Sequence, residues 1–171
     1  VRPMAPQAGA ALEHRRMLVP LDQGAFSRSI LQTAEMLARA LKLSIVLCHF
    51  VKPVGPYLNA EQAPPGIASE IEALIAVASS DLERQALPLS NAGISVEIVV
   101  CMGDPLKEIV RLAERCKAGV IAMATRGSAS LSRVMGSTAH GVLRSTRVPC
   151  LLVRPDAEQP AQQLESVAVT V

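Results

Sequence analysis

Short apolar segments alternate with amphipathic ones along most of this chain, and this alternation constrains the fold more than any other feature. Five apolar runs are nearly continuous, which is typical of strands covered on both faces of a sheet. They are RRMLVPLD, LSIVLCHFV, ISVEIVVCM, VIAMA and VPCLLVRP. Amphipathic helical patterns fill the intervals between them. The order β-α-β-α-β-α-β-α-β predicts a single α/β domain, a five-stranded parallel sheet with helices on both faces.

Boundary signals divide the chain further. In GDPLKEIVRLAERCKAG, Asp104 is the expected helix cap, Pro105 the first helical position and Gly119 the residue past the end. Pro88 is expected to break or end the long helical pattern before it, with the stop at Asn91-Ala92-Gly93.

Both ends of the chain are polar or irregular and lie outside this pattern. Residues 1–15 are expected to form a flexible leader, and the domain to span residues 16–155. Residues 156–171 form a tail that is either disordered or contributes SVAVTV to a sheet edge. The Pro- and Gly-rich segment at residues 52–66 predicts a loop.

Composition excludes several classes of protein. The net charge is only +2 with no basic stripe, and aromatic residues make up 2% of the chain and leave few stacking platforms, which argues against nucleic-acid binding. No apolar run approaches the roughly 18 residues of a membrane span. The four cysteines form no CxxC motif, which predicts packed thiols, no zinc site and a reducing, cytoplasmic compartment.

A ligand site is expected where the order of strands reverses, beyond their carboxyl ends. The first and fourth strands would meet there, and they are followed by Asp22 and by the small-residue segment ATRGSASLSRVMGST, Ala124–Thr138. Glycines let backbone N–H groups approach an anion, and a helix N-terminus adds further donors. The segment matches neither the Walker A nor the Rossmann pattern. From its residues alone, a phosphate loop and a plain turn capped by Ser137 are both open.

Three stretches of the chain resemble the universal stress protein family. They are MLVPLDQGAFSRSILQTAEMLARAL, GDPLKEIVRLAERCKAGVIAMATRG and VMGSTAHGVLRSTRVPCLLVRP, and the resemblance covers about residues 16–155. It implies the strand order 3-2-1-4-5 of adenine nucleotide α-hydrolase-like folds and a role in the cytoplasmic stress response. It also implies a homodimer formed through the last strand, here Pro149 to Arg154.

The resemblance also implies an adenine nucleotide, ATP or AMP, with Mg²⁺ accompanying ATP. Family members that bind nucleotide carry G-x2-G-x9-G-[S/T]. In this chain Ala124 replaces the first glycine, and the spacing between Gly127 and Gly136 is one residue shorter. The residues assigned to the nucleotide are Asp22, Val51, Gly127, Gly136, Ser137 and Thr138, with Leu21, Thr125, Arg126 and Arg133 as secondary candidates.

Two other functions are alternatives to nucleotide binding. A dedicated ATPase needs metal ligands and a group that orients water; the loop carries no carboxylate, so no catalytic residue is assigned and at most slow hydrolysis is expected. The main alternative is a dimeric stress protein that binds no nucleotide and acts through protein contacts, which the shortened loop favours. His49, at the end of the second strand, is expected to have a structural role.

Overall fold

The computed structural model describes residues 15–125, 136–154 and 168–170 of the 171-residue chain. Strands and helices alternate along the first two ranges. The strands are β1 (Arg16–Pro20), β2 (Ser44–Val51), β3 (Val96–Met102), β4 (Val120–Ala124), β5 (Cys150–Val153) and β6 (Ala168–Thr170). The helices are α1 (Ala25–Arg28), α2 (Ile30–Leu41), α3 (Pro65–Asn91), α4 (Pro105–Arg115) and α5 (Ser137–Ser145), with a short 3-10 helix at Ala60–Gln62.

One sheet organises these elements, in the order β3-β2-β1-β4-β5-β6. The first five strands are parallel, so the predicted fold class and the order 3-2-1-4-5 are confirmed. β6 adds to this pattern as an antiparallel neighbour of β5, with Leu151 opposite Val169. Residues 168–170 therefore form an edge strand, which is one of the two alternatives predicted for the tail. Residues 155–167 lie outside the described ranges.

Helices cover both faces of the sheet because successive strand residues point to opposite sides. On one side Val19 and Leu47 pack with Ile30 of α2 and Leu82 of α3. On the other side Leu18, Val46 and Ile121 pack with Ile109 of α4 and Val142 of α5, and all of these side chains are buried. Full burial of an aliphatic side chain contributes about 1.5–3 kcal/mol, so these two aliphatic layers hold the strands in place.

The predicted helix ends are confirmed in part. α3 ends at Asn91, within the predicted stop Asn91-Ala92-Gly93, but Pro88 lies inside the helix, and the expectation that this proline breaks or ends it was wrong. Pro88 is exposed, so the helix loses one interior hydrogen bond on its water-facing side only. After α4, the left-handed residue is Lys117, with a φ of 52°, rather than Gly119.

Candidate functional site

The turn between β1 and α1 carries Asp22. Leu21 N donates to Cys48 O at 2.8 Å, which continues the β1–β2 pairing one residue beyond β1. Asp22 is exposed, and its Oδ1 accepts a hydrogen bond from Gly24 N at 2.8 Å. A Cβ at Gly24 would lie 2.8 Å from that same oxygen, so glycine lets the carboxylate fold back over the turn. A carboxylate has two oxygens, so acceptor capacity is left for a ligand.

The hydroxyl of Ser27 closes the same turn. Its Oγ lies 3.2 Å from Asp22 N, from which it accepts, and 2.9 Å from Asp22 O, to which it can donate. A second acceptor, Gly24 O, lies 3.1 Å away. A single side chain at the start of α1 therefore holds both backbone groups of Asp22, and the carboxylate is presented from a fixed backbone.

His49 ties this turn to the neighbouring strand. Its ring Nδ1 lies 2.7 Å from Leu21 O, and the ring is half-buried. A carbonyl oxygen can only accept, so Nδ1 carries the hydrogen, and in the neutral ring Nε2 is the acceptor. The structural role expected of His49 thus has a specific partner. No motif points to that partner, because a lone histidine after an apolar run has no characteristic spacing.

Val51, at the end of β2, is buried and packs against Ile71 of α3 and against Met102. Its carbonyl oxygen accepts from Gly103 N at 2.9 Å. Contact between the backbone of Val51 and a base stays a prediction. Gly103 is itself restricted, because a Cβ there would lie 2.5 Å from Cγ of Glu108.

The other half of the candidate site follows β4. Thr125 is buried, and its N–H donates to Val153 O at 2.8 Å. α5 then begins with Gly136 at the cap position, where no side chain caps the helix, and with Ser137 and Thr138 exposed in its first turn. The first N–H groups of a helix have no acceptor within the helix, so this end can donate to an anion. Gly127, Arg126 and Arg133 lie outside the described residues.

The sheet brings these two halves to one edge. β1 pairs with both β2 and β4 in parallel, so the carboxyl ends of the three strands lie together. The carboxyl end of the sheet, where the sequence predicts a ligand site, therefore carries Asp22, Val51, Thr125 and the N-terminus of α5. This end of the sheet therefore carries both an acceptor, the Asp22 carboxylate, and donors, the first N–H groups of α5, which are the groups that a ligand with a polar ring and a phosphate requires.

The cysteine thiols of β2 and β3 are buried or half-buried. Burial raises the pKa of the Cys48 thiol well above its ordinary value, and Cys101 and Cys116 act in the same direction. Burial likewise raises the pKa of Cys101, with Glu108 adding to the effect. In the ranges that the structure describes, no three His, Cys, Asp or Glu side chains lie close enough to hold a metal ion.

The described helices include none long and apolar enough to cross a membrane.

Comparison with known sequences finds similarity to universal stress proteins. A universal stress protein from Methanothermobacter thermautotrophicus is 24% identical over 141 residues, which are 82% of this chain and 96% of that protein. Universal stress protein MJ0531 of Methanocaldococcus jannaschii is 36% identical over 63 residues, 36% of this chain and 37% of that protein.

Solved structures share the fold. Protein MJ0577 of Methanocaldococcus jannaschii matches with a TM-score of 0.67 and 21% identity, over 86% of this chain and all of that one. A universal stress protein in complex with cAMP matches with a TM-score of 0.59 and 20% identity, over 82% of this chain and 97% of that one. The model of the universal stress protein family matches residues 13–154. With the sheet order and the matched range together, the chain belongs to the universal stress protein family.

Proposed function

We propose that this chain binds an adenine nucleotide, ATP or AMP, at the carboxyl ends of β1 and β4 and acts as a cytoplasmic stress-response regulator. The observation that carries the proposal is the shared end of the sheet: Asp22 follows β1, and the uncapped N-terminus of α5 follows the neighbouring strand β4. A carboxylate accepts from the amino group of a base or from ribose hydroxyls, and a helix N-terminus donates to phosphate.

Each site residue has a distinct role in this proposal. Asp22 faces the adenine or ribose, and the backbone at Val51 lies against the base. Thr125 and Leu21 support the ends of β4 and β1. The groups that hold phosphate are Gly127, Gly136, Ser137 and Thr138, with Arg126 and Arg133 as secondary contributors of positive charge and Mg²⁺ accompanying ATP.

A family neighbour supports the class of ligand. The solved universal stress protein in complex with cAMP carries an adenine nucleotide on this same fold. An adenine nucleotide therefore suits the fold, and the choice among ATP, AMP and related nucleotides depends on this chain's own loop.

The proposed assembly is a homodimer through the last parallel strand, Pro149 to Arg154. β5 is an apolar strand whose side away from β4 is paired only with the short β6, and an apolar strand pairs readily with another chain when that side is uncovered. A dimer that binds no nucleotide is the second candidate function, and the loop that is one residue short between Gly127 and Gly136 favours it.

Calorimetric titration with ATP, AMP and GTP tests nucleotide binding. Wild-type protein is expected to bind ATP or AMP and to bind GTP more weakly. Asp22→Asn should lower the affinity for the adenine nucleotide by about 10- to 100-fold, because a hydrogen bond to a charged group contributes about 1.5–3 kcal/mol. Asp104→Asn is the matched control, since it removes a carboxylate at the same edge while keeping a good helix cap.

Absence of binding at millimolar ATP and AMP by folded wild-type protein would reject the nucleotide proposal. Function would then have to be sought in the protein contacts of the second candidate. Equal affinities of wild type and Asp22→Asn would show that a nucleotide binds without the proposed carboxylate contact.

A further inference from the structure

The edge of β5 that faces away from β4 is occupied by the chain's own C-terminal strand. On one side β5 pairs in parallel with β4, from Ile121 opposite Cys150 to Ala124 opposite Val153. On the other side β6 pairs with it antiparallel, from Leu152 opposite Ala168 to Cys150 opposite Thr170. Both sides of β5 are therefore used within a single chain.

A strand offers only one row of hydrogen-bonding groups on each side, so two neighbours cannot share one edge. A second copy of this chain and β6 thus exclude each other at β5. β6 is short, with three paired residues against the five or six of an average strand. β6 belongs to the same chain as β5, so its pairing is intramolecular and does not depend on protein concentration, whereas pairing with a second copy does.

We propose that β6 covers the β5 edge within its own chain and competes there with a second copy of the chain, so that release of the C-terminal strand opens the dimer contact. The competition rests on the β5 dimer contact proposed above. The occupant of the edge in the isolated chain is residues 168–170. The occupant in the dimer is a second copy.

The natural cysteine Cys150 allows the pairing of β6 with β5 in one chain to be tested directly. Cys150 lies opposite Thr170, and directly opposed residues of antiparallel strands have Cα atoms about 4.5–5.5 Å apart. That separation is within the range of a disulfide. Thr170→Cys should therefore form a disulfide with Cys150 under mild oxidation. Burial raises the pKa of the Cys150 thiol, so the reaction needs a pH near 9 or a copper catalyst.

A non-reducing gel separates the outcomes of this test. A disulfide within one chain, seen as a shifted monomer band that disappears on reduction, is the expected result. A covalent dimer would place β6 on a second copy and overturn the proposal, and so would the absence of any disulfide. Val169→Cys is the register control because Val169 lies opposite Leu151, and Thr170→Cys with Cys150→Ala removes the partner thiol.

Proline substitutions in the full chain test the competition. Alternate residues of a strand point their N–H groups to opposite sides, so either Val169→Pro or the pair Ala168→Pro with Thr170→Pro removes donors that face β5. Sedimentation equilibrium should show a dimer dissociation constant at least tenfold lower for one of the two variants than for wild type. Gln163→Pro, outside β6, is the matched control and should leave the constant unchanged.

An intrachain disulfide together with unchanged dimerisation in both proline variants would overturn the competition. Calorimetric titration of the same proline variants with nucleotide distinguishes a failure of the competition from a failure of nucleotide binding. β6 pairs at the far side of β5 and not at β1, so the affinity for nucleotide should stay within twofold of wild type whether or not dimerisation changes.

Discussion

The ring Nδ1 of His49 lies 2.7 Å from the carbonyl oxygen of Leu21 and joins the end of β2 to the turn that carries Asp22. The same turn is closed from the other side by Ser27. The turn whose carboxylate is proposed to contact the nucleotide is therefore held by two side chains, neither of which is among the residues assigned to the nucleotide. We expect His49 to act as a positioning residue.

Substitution of His49 should weaken nucleotide binding without abolishing it. His49→Leu removes a hydrogen bond of about 0.5–1.5 kcal/mol, so the affinity should fall about two- to tenfold by calorimetry. His49→Asn should restore most of the loss, because the amide nitrogen of Asn takes a position similar to that of Nδ1. Unchanged affinity in His49→Leu, or an equal loss in both variants, would contradict the positioning role.

Two helical glycines should respond in opposite ways to alanine. At Gly66, in the first turn of α3, nothing lies within 4 Å of an added Cβ, so alanine should stabilise the fold by about 0.5 kcal/mol. At Gly141, in α5, an added Cβ would overlap the side chain of Leu106 at the start of α4. Overpacking costs about 1–3 kcal/mol, so Gly141→Ala should be destabilising. Urea unfolding measures both, and a more stable Gly141→Ala would show that the half-buried Leu106 side chain moves aside at little cost.

The helix cap at Asp104 should contribute measurably to stability. Its side chain accepts from Lys107 N at 3.1 Å at the start of α4. Asp104→Ala should lower the free energy of unfolding by about 1 kcal/mol, whereas Asp104→Asn should change it little because Asn caps equally well. Thermal or urea unfolding measures the difference between the two variants. Equal stabilities of the Ala and Asn variants would rule out the cap contribution.

Stability should decline in alkaline solution. Burial raises the pKa of the thiols of Cys48, Cys101, Cys116 and Cys150, so the folded chain keeps these protons when the unfolded chain loses them. The free energy of unfolding should therefore be highest below the ordinary thiol pKa of about 8.5 and fall as the pH rises above it. Urea unfolding between pH 7 and pH 9.5 tests this. Cys48→Ala should show a shallower decline, and stability that rises over this interval would contradict the expectation.

Much of the fold could be predicted because buried strands leave near-continuous apolar runs, and RRMLVPLD and LSIVLCHFV became β1 and β2. The edge that holds the candidate site followed from parallel strand order. The end of α3 at Asn91 was also predictable, but the sequence did not show that the exposed Pro88 would be accommodated inside the helix. The segment SVAVTV indicated a possible edge strand, but its pairing with β5 and the contact of His49 with Leu21 are long-range contacts that no local motif specifies.

Amide chemical-shift mapping of the ¹⁵N-labelled chain with ATP and AMP tests the central claim most directly. Binding at the proposed site should shift the amides of Leu21, Asp22, Ser137 and Thr138, and these shifts should be lost in Asp22→Asn. A cavity of about 540 Å³ at the opposite edge of the sheet, lined by Arg15, Arg39 and Lys42 among others, provides an internal comparison for non-specific anion binding. Shifts confined to residues around that cavity, or no shifts at millimolar nucleotide, would contradict the proposal.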